Sequence, residues 1–593
     1  MARSPDSKTE RRTPRRMDAL VFRGKTALLQ GQRIAANLFG PRVRQHGLGA
    51  GRSDENIIAE SVTPLWTETD PAERFLIAGK LENLRRASSK LNGISVPANE
   101  IFSFWKQVGR TSRLKGYVRG RELREGCIIP SVGGGLCQLS NALYDAAHQA
   151  GFEIIERHRH TQVIPGSLAE SGRDATVFWN YVDLRFKSEN TFQIEIHLDP
   201  ENLTVRFRGE RGTSDPLGSN EVRFVSTTDP KSCATCGVGE CHRAVPAASA
   251  TGFGRTAFLV DEYSPEFDRY IGNTRSANDV LLLPLNGKMF RKGNYAWGTD
   301  GFASVRQSLF ITAKRSFRSR RLAAQGASRQ RNLLRMYEEL AERYAQCLRF
   351  DTLHVVVHQN LLPFLWRNGC LGGRTFDVLM TALPMKELQA TLDKAFRLHP
   401  ESKTLSDFRA DPGLVAAEIE ALRSARTIIT SHTKIASLFP RRGKLIDWKV
   451  PSAKKIDATS NSKPHLVFPS STVGRKGCYE LREAIRGLDV KLILLGSILE
   501  SPDFWAGFDI EQQCDDWMIR ADLVVLPAFI EHRPRRLLVA AAAGISVIAS
   551  RACGIENVHG VRSIDAGDVV ALREEILAVL AARLTSTPCL VEA

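Results

Sequence analysis

Long hydrophobic runs are missing from this 593-residue chain. No stretch reaches the ~18 consecutive apolar residues that a membrane-spanning helix needs, so none is expected. The polar, basic start, Met1–Arg16, is followed by no apolar segment of the signal-peptide kind. The expectation is a cytoplasmic protein, at most peripheral to the inner face of the membrane. In that reducing compartment its eleven cysteines read as free thiols, metal ligands or a nucleophile rather than a disulfide framework. Internal repeats are lacking. No RNA- or DNA-binding motif occurs, which makes nucleic acid the weakest anionic partner. Acidic residues are absent from Ala303–Arg331, which carries eight Lys/Arg, and scarce in Met1–Arg52, with twelve Lys/Arg against three Asp/Glu. These two stretches hold the whole formal charge of +17. Charge so confined reads either as a solvated arm and helix face or as local attraction for anionic lipid or nucleotide-linked and polyprenyl phosphates.

What is present is an ordinary globular composition, with 43% hydrophobic and 25% charged residues. At about 100–200 residues per domain the length allows three to five domains. After the basic arm, residues 1–52, whose apolar Met17–Phe39 stretch predicts an amphipathic helix, residues 53–225 alternate helix and strand signals. Helices are expected at Glu73–Leu91 and after the glycine turn at Val132, and strands at Phe152–Glu156, Ala175–Trp179, Val182–Phe186, Gln193–Leu198, Val205–Phe207 and Val222–Val225. A cysteine-rich connector spans 226–250. From 251 onward short apolar strands, among them His354–Val357, Thr375–Met380, His465–Phe468 and Leu523–Leu526, alternate with helical stretches, the signature of parallel α/β sheets. The fold class expected is α/β: an α+β domain followed by two Rossmann-like domains, at 251–430 and 431–593.

Three sites carry chemistry. In Ser131-Val132-Gly133-Gly134-Gly135-Leu136-Cys137-Gln138 the glycines permit close approach to a ligand, and a helix begins at the cysteine. A thiol in a first helical turn faces free N–H groups and the positive dipole end, which favour thiolate and can hold an oxyanion, with Gln138 as a possible extra donor. His158, His160 and Asp174 are the candidate base and orienting group. The blander reading is a small residue in a tight turn. In the connector, Cys233, Cys236, Cys241 and His242 have the spacing of a zinc site, with an iron–sulfur cluster second and unligated thiols as the alternative. Farther on, the strand Leu466–Phe468, a loop with Arg475 and Lys476 and then a helix make a phosphate-binding arrangement. The run Ala521–Pro527 leads to Glu531.

The residues Ile101–Phe104, Val108-Gly109, Gly116-Tyr117, Val132–Gln138, Leu143-Tyr144, Glu156–His158, His160 and Gly172–Ala175 resemble the VanW family over about Glu100–Phe186. The family is named for an accessory protein of glycopeptide-antibiotic resistance, so the resemblance implies a cell-envelope or glycoconjugate context. The order of cysteine, helix and strand also resembles the transglutaminase-like cysteine hydrolases, which place a His where this chain has Arg173-Asp174. The stretch Thr427–Leu580 is similar to the C-terminal domain of retaining GT-B glycosyltransferases. That resemblance implies Lys476, with Arg475, on the diphosphate of a nucleotide sugar and Glu531 near the sugar or ribose. The motif is degenerate: Val539 stands where the family has a second Glu, and Pro469 and Ser470 where it has a basic residue. The leading expectation is an enzyme acting on nucleotide-sugar or envelope precursors. The alternatives are Cys137-dependent acyl or amide chemistry and a non-catalytic scaffold at an anionic membrane surface.

Overall fold

The computed structural model describes residues 16–39, 43–49, 56–67, 71–124, 127–160, 168, 170–211, 231–233, 236, 241, 254–320, 326–406, 409–450, 463–512 and 515–586. The chain forms two compact units. The first contains residues 1–255 with the short stretches 348–354 and 368–375, and the second the remainder.

The first unit is built on a four-stranded antiparallel sheet in the spatial order Ile57–Pro64, Asn202–Gly209, Phe192–Leu198, Ser95–Val96. Apolar and polar residues alternate along Phe192–Leu198, so Phe192, Ile194, Ile196 and Leu198 all enter the core while Gln193, Glu195 and His197 point away. Phe102, Phe152, Phe186, Phe192 and Phe207 meet there, with Phe152 and Phe207 stacked at 5.4 Å and Phe102 and Phe186 at 4.6 Å. Two helices close the core. Cys137–Gln149 contributes Leu139, Ala142, Leu143, Ala146 and Ala147. Pro71–Leu91 is buried on nearly every side, because the hairpin Arg119–Arg124/Cys127–Val132 packs against it. Gly79 makes that approach possible: a Cβ there would stand 2.0 Å from the Arg119 carbonyl oxygen.

Most expected elements of this unit are present, including the helix Arg16–Phe39. The expected strand Ala175–Trp179 is not. That stretch is extended but makes only an isolated bridge, Phe178 to Val182, and its other backbone bonds go elsewhere. The next strand is shifted to Arg185–Lys187. The expected strand Val222–Val225 lies outside the described residues.

The second unit holds two doubly wound sheets. Counted along the chain, the first has seven strands in the order 3-2-1-4-5-6-7 and the second six in the order 3-2-1-4-5-6. The registered pairs in both are parallel. Strands such as Leu523–Leu526 are apolar throughout because helices cover both faces. In each sheet the order reverses between strands 1 and 4, and the crevice beyond the carboxyl ends of those strands is where such folds bind ligands. In the second sheet the pair is His465–Phe468 and Leu523–Leu526.

Candidate functional site

Cys137 opens its helix, as the sequence predicts. The glycine turn before it has Gly133 and Gly135 at φ of 80° and 94°, which side-chain-bearing residues rarely adopt. The packing gives each of these glycines a reason within the fold itself. A Cβ on Gly133, Gly134 or Gly135 would strike Thr111, Gly120 or Lys80 at 2.7, 2.6 and 2.1 Å, so the turn is pressed against its own chain. Asn83, on the buried helix Pro71–Leu91, fastens it by donating to the Gly134 and Val118 carbonyls at 2.9 and 3.0 Å.

The side chains of the first helical turn then dock the segment that carries the acid. Ser140 Oγ donates to the Ala175 carbonyl at 2.6 Å, and Asn141 Oδ1 accepts from the Ala175 amide at 2.9 Å. Asp174 is thereby buried beside the thiol's helix. Its Oδ2 lies 2.6 Å from His160 Nδ1 and accepts the His160 amide at 2.7 Å, while Arg157 reaches Oδ1 at 3.2 Å. Cys137 lies near enough to His160 to help raise the imidazole pKa. With Nδ1 committed to the carboxylate, Nε2 is the nitrogen left for sulfur. Cys137 Sγ lies 3.8 Å from the Val177 carbonyl.

Burial pulls the His160 pKa down, but the hydrogen bonds to Asp174 and Cys137 and the charges on both outweigh it and raise the pKa to about 10. Asp174 moves oppositely: burial favours its neutral form, yet the His160 bonds and charge and the Arg157 charge hold it below the usual carboxylate value. Each partner's shift favours the charged pair.

Two candidates at this site have other partners. The strand ends at Glu156, and the His158 side chain is 50% exposed, 3.4 Å from Glu156, against 19% exposure for His160. Gln138 is no oxyanion donor, because its amide nitrogen already serves Thr63 Oγ1 and the Pro64 carbonyl at 3.0 and 2.9 Å. The Gln138 and Leu139 amides close turns to the Gly135 and Leu136 carbonyls. Asn83, Ser140, Asn141 and Arg157 are the positioning residues that the sequence did not mark. Only Asn83, a carboxamide on the core face of an apolar helix, offers a signal.

The expected zinc site finds no support among the described residues. Among the described residues no group of three or more His, Cys, Asp or Glu side chains is placed to hold a metal, and Cys233, Cys236 and Cys241 make none. His242 lies outside the described residues.

In the second unit, Lys476 and Glu531 follow strands 1 and 4 of the six-stranded sheet and meet at its switch point. Lys476 Nζ is 2.9 Å from both Glu531 Oε2 and the Ile530 carbonyl. Gly477 (φ 75°) lets this loop lie against Pro527, whose carbonyl a Cβ would meet at 2.1 Å. Arg475 is held close by: its carbonyl accepts the Phe529 and Ile530 amides at 3.0 and 3.1 Å. The basic loop after Glu531 has an internal explanation. Arg533 pairs with Glu262 and Arg535 with Glu266, both at 2.5 Å, joining the second sheet's switch point to the loop after the first sheet's strand Arg255–Leu259 and to the helix Pro265–Thr274 that follows. His432 and His532 complete the cluster, their rings 6.2 Å apart, with His432 Nε2 3.0 Å from the Glu531 carbonyl. Burial, with His432 and Lys476 nearby, keeps His532 far below the usual imidazole value. Neither histidine was marked by the sequence, since nothing local ties position 432 to position 532.

Comparison with known proteins finds a family match within the first unit. Residues 79–208 match the family described as VanW like protein, so the first unit carries a VanW domain. The uncharacterized protein YoaR of Bacillus subtilis is 37% identical over 107 residues, which are 18% of this chain and 35% of that protein. The vancomycin B-type resistance protein VanW of Enterococcus faecalis is 33% identical over 152 residues, 25% of this chain and 55% of that protein. The chain thus spans between about a third and about half of the length of these curated relatives. Among solved structures, sucrose-phosphate synthase of Thermosynechococcus elongatus is 14% identical, covering 55% of this chain and 90% of that one at a TM-score of 0.34. Anabaena HepE in complex with UDP is also 14% identical, covering 56% and 90% at a TM-score of 0.33. The strand order itself defines the second unit as a pair of Rossmann-like sheets.

Proposed function

We propose that the VanW domain is a cysteine-dependent acyl-transfer module. The observation that supports this reading is the 2.6 Å contact of His160 with Asp174, together with a nearby Cys137 whose thiol helps raise the His160 pKa. In the proposed cycle the proton of Cys137 Sγ already rests on His160 Nε2, as the raised His160 pKa favours, and the sulfur attacks the carbonyl carbon of an ester or amide. Collapse of the tetrahedral intermediate breaks the bond to the leaving group, which takes that proton. Water or an amine then attacks the thioester, gives up a proton to His160 and releases Cys137. Asp174 keeps Nδ1 protonated and steadies the imidazolium throughout. One matched relative is named a vancomycin resistance protein, and an envelope precursor is the substrate class we assign on that likeness. The test is alkylation of Cys137 by iodoacetamide at pH 7. It should outpace a model thiol and slow by ~10-fold or more in His160→Ala. Equal rates in the two proteins would remove the proposal.

A second reading concerns the GT-B-like module, and it is favoured by the meeting of Lys476 and Glu531 at a topological switch point. There Lys476, with Arg475, would take the diphosphate of a nucleotide sugar, and Glu531 would turn to its hydroxyls. The two readings combine in one chain that binds an activated sugar and modifies an acyl group of the same class of envelope precursor.

A further inference from the structure

Five exposed large apolar side chains of the second unit, Met289, Phe290, Leu309, Phe310 and Phe317, belong to one helix beside the first Rossmann-like sheet and to a loop that precedes it. The helix Leu309–Arg320 turns Thr312 and Arg315 inward. The opposite face, at the helical spacing of positions 309, 310, 313 and 317, is exposed: Leu309 at 48%, Phe310 at 82% and Phe317 at 58%. A bulk of aromatic surface on the outward side of an amphipathic helix has no place in a purely soluble face.

The loop before this helix continues the same surface. Asn286 N–H donates to Gln307 Oε1 at 2.9 Å, fastening the loop to the helix start. Inside the loop Phe290 N–H reaches the Asn286 carbonyl at 3.0 Å, Lys292 N–H the Gly287 carbonyl at 2.8 Å and Met289 N–H the Asn286 side chain at 3.1 Å. The loop is therefore ordered, and its order holds Met289 (72% exposed) and Phe290 outward rather than letting them fold in. Interleaved with them are Lys288, Arg291, Lys292 and Arg306, all exposed, and none makes an ion pair with a carboxylate among the described residues. By contrast Lys314 and Arg318 of the same helix are spent on Glu339, and Arg315 on Asp261.

We propose that this composite face, the 288–292 loop with the outer side of Leu309–Arg320, docks the protein on an anionic phospholipid surface. Cations beside exposed phenylalanine, leucine and methionine fit the boundary between headgroups and acyl chains, where phosphates answer the charge and the apolar side chains leave water. A nucleic acid would answer the charge alone and leave Leu309 and Met289 wet. Among the described residues no helix is long and apolar enough to cross a membrane, so the contact is peripheral.

The test is co-sedimentation of the full chain with vesicles of phosphatidylcholine alone and of phosphatidylcholine with phosphatidylglycerol, beside a short DNA duplex as competitor. The anionic vesicles should retain at least about tenfold more protein than the neutral ones, and retention should fall as salt rises from about 0.05 M to about 0.5 M. The pair Leu309→Ser/Phe310→Ser and the pair Lys288→Glu/Lys292→Glu should each reduce retention by about tenfold, with far-ultraviolet circular dichroism unchanged. Equal retention on both vesicles, insensitivity to salt, full retention by both variant pairs, or displacement by DNA with no effect of the serine pair would each overturn the proposal.

Discussion

His160 Nδ1 stands 2.6 Å from Asp174 Oδ2, and the same carboxylate oxygen accepts the His160 main-chain N–H at 2.7 Å. One acid thus fixes both the ring and the backbone of one histidine, which leaves the far edge of the imidazole for Cys137. Asp174 can do this because Ser140 and Asn141 hold Ala175 against the first turn of the thiol's own helix. Nucleophile and acid are placed by one piece of secondary structure.

A direct consequence is an abnormal histidine. The His160 ring should titrate near pH 10 rather than near the ordinary 6.5. Because the folded value is raised, the stability it contributes is complete below about pH 6.5 and disappears as pH climbs through about 10. Asp174→Asn should bring the titration down and shift that alkaline loss to lower pH. Spectra of protein carrying 13C-labelled histidine, with urea melts across the range, check both; an unchanged His160 in Asp174→Asn would contradict the linkage.

The glycine turn makes a steric prediction. Gly135→Ala puts a methyl within 2.1 Å of Lys80 Cγ at a φ of 94°. The backbone conformation alone costs about 1–2 kcal/mol. The variant should lower the stability of the first unit by at least that amount and slow Cys137 alkylation, because the turn that presents the thiol must shift. Denaturation with a probe in the first unit reads the first effect and alkylation rates the second.

Removing a ring from the aromatic cluster should unfold one unit selectively. Phe207 is fully buried and stacked on Phe152. Phe207→Ala is expected to cost about 3–5 kcal/mol. The loss should fall on the first unit, and nucleotide binding by the second should persist when both are followed in one urea titration.

At the second site Lys476→Ala should weaken the binding of UDP- and GDP-sugars measured by calorimetry. Losing a charge-assisted contact to phosphate costs on the order of 1.5–3 kcal/mol, a drop of roughly tenfold to 150-fold in affinity. Glu531→Gln frees Lys476 from its partner and should leave diphosphate affinity intact or raised. No binding of any nucleotide by the unaltered chain would contradict the second reading.

The sequence made the second unit legible because its strands are short apolar runs buried on both faces, a pattern that loops and surface helices do not imitate. The helix at Cys137 was equally plain, from its glycine turn and the apolar spacing of Leu139, Ala142, Leu143 and Ala146. Ala175–Trp179 misled for a physical reason. Its backbone is satisfied locally rather than by a neighbouring strand: Ala175 is bound by the Ser140 and Asn141 side chains, and the Thr176 N–H donates to the His158 main-chain carbonyl. The strand before His158 and His160 stops at Glu156, and Arg157 turns its guanidinium onto the Asp174 and Gly172 carbonyls. The pairing of Lys476 with Glu531, and of Arg533 with Glu262, spans distances along the chain that no local pattern encodes.

Acyl capture tests the central claim most directly. The full chain is mixed with a small activated ester and the modified residue located by mass spectrometry. The structure predicts rapid, selective acylation of Cys137, at least about tenfold slower in His160→Ala and absent from Cys137→Ser. Acylation spread over surface lysines, with Cys137 modified no faster than in His160→Ala, would contradict it.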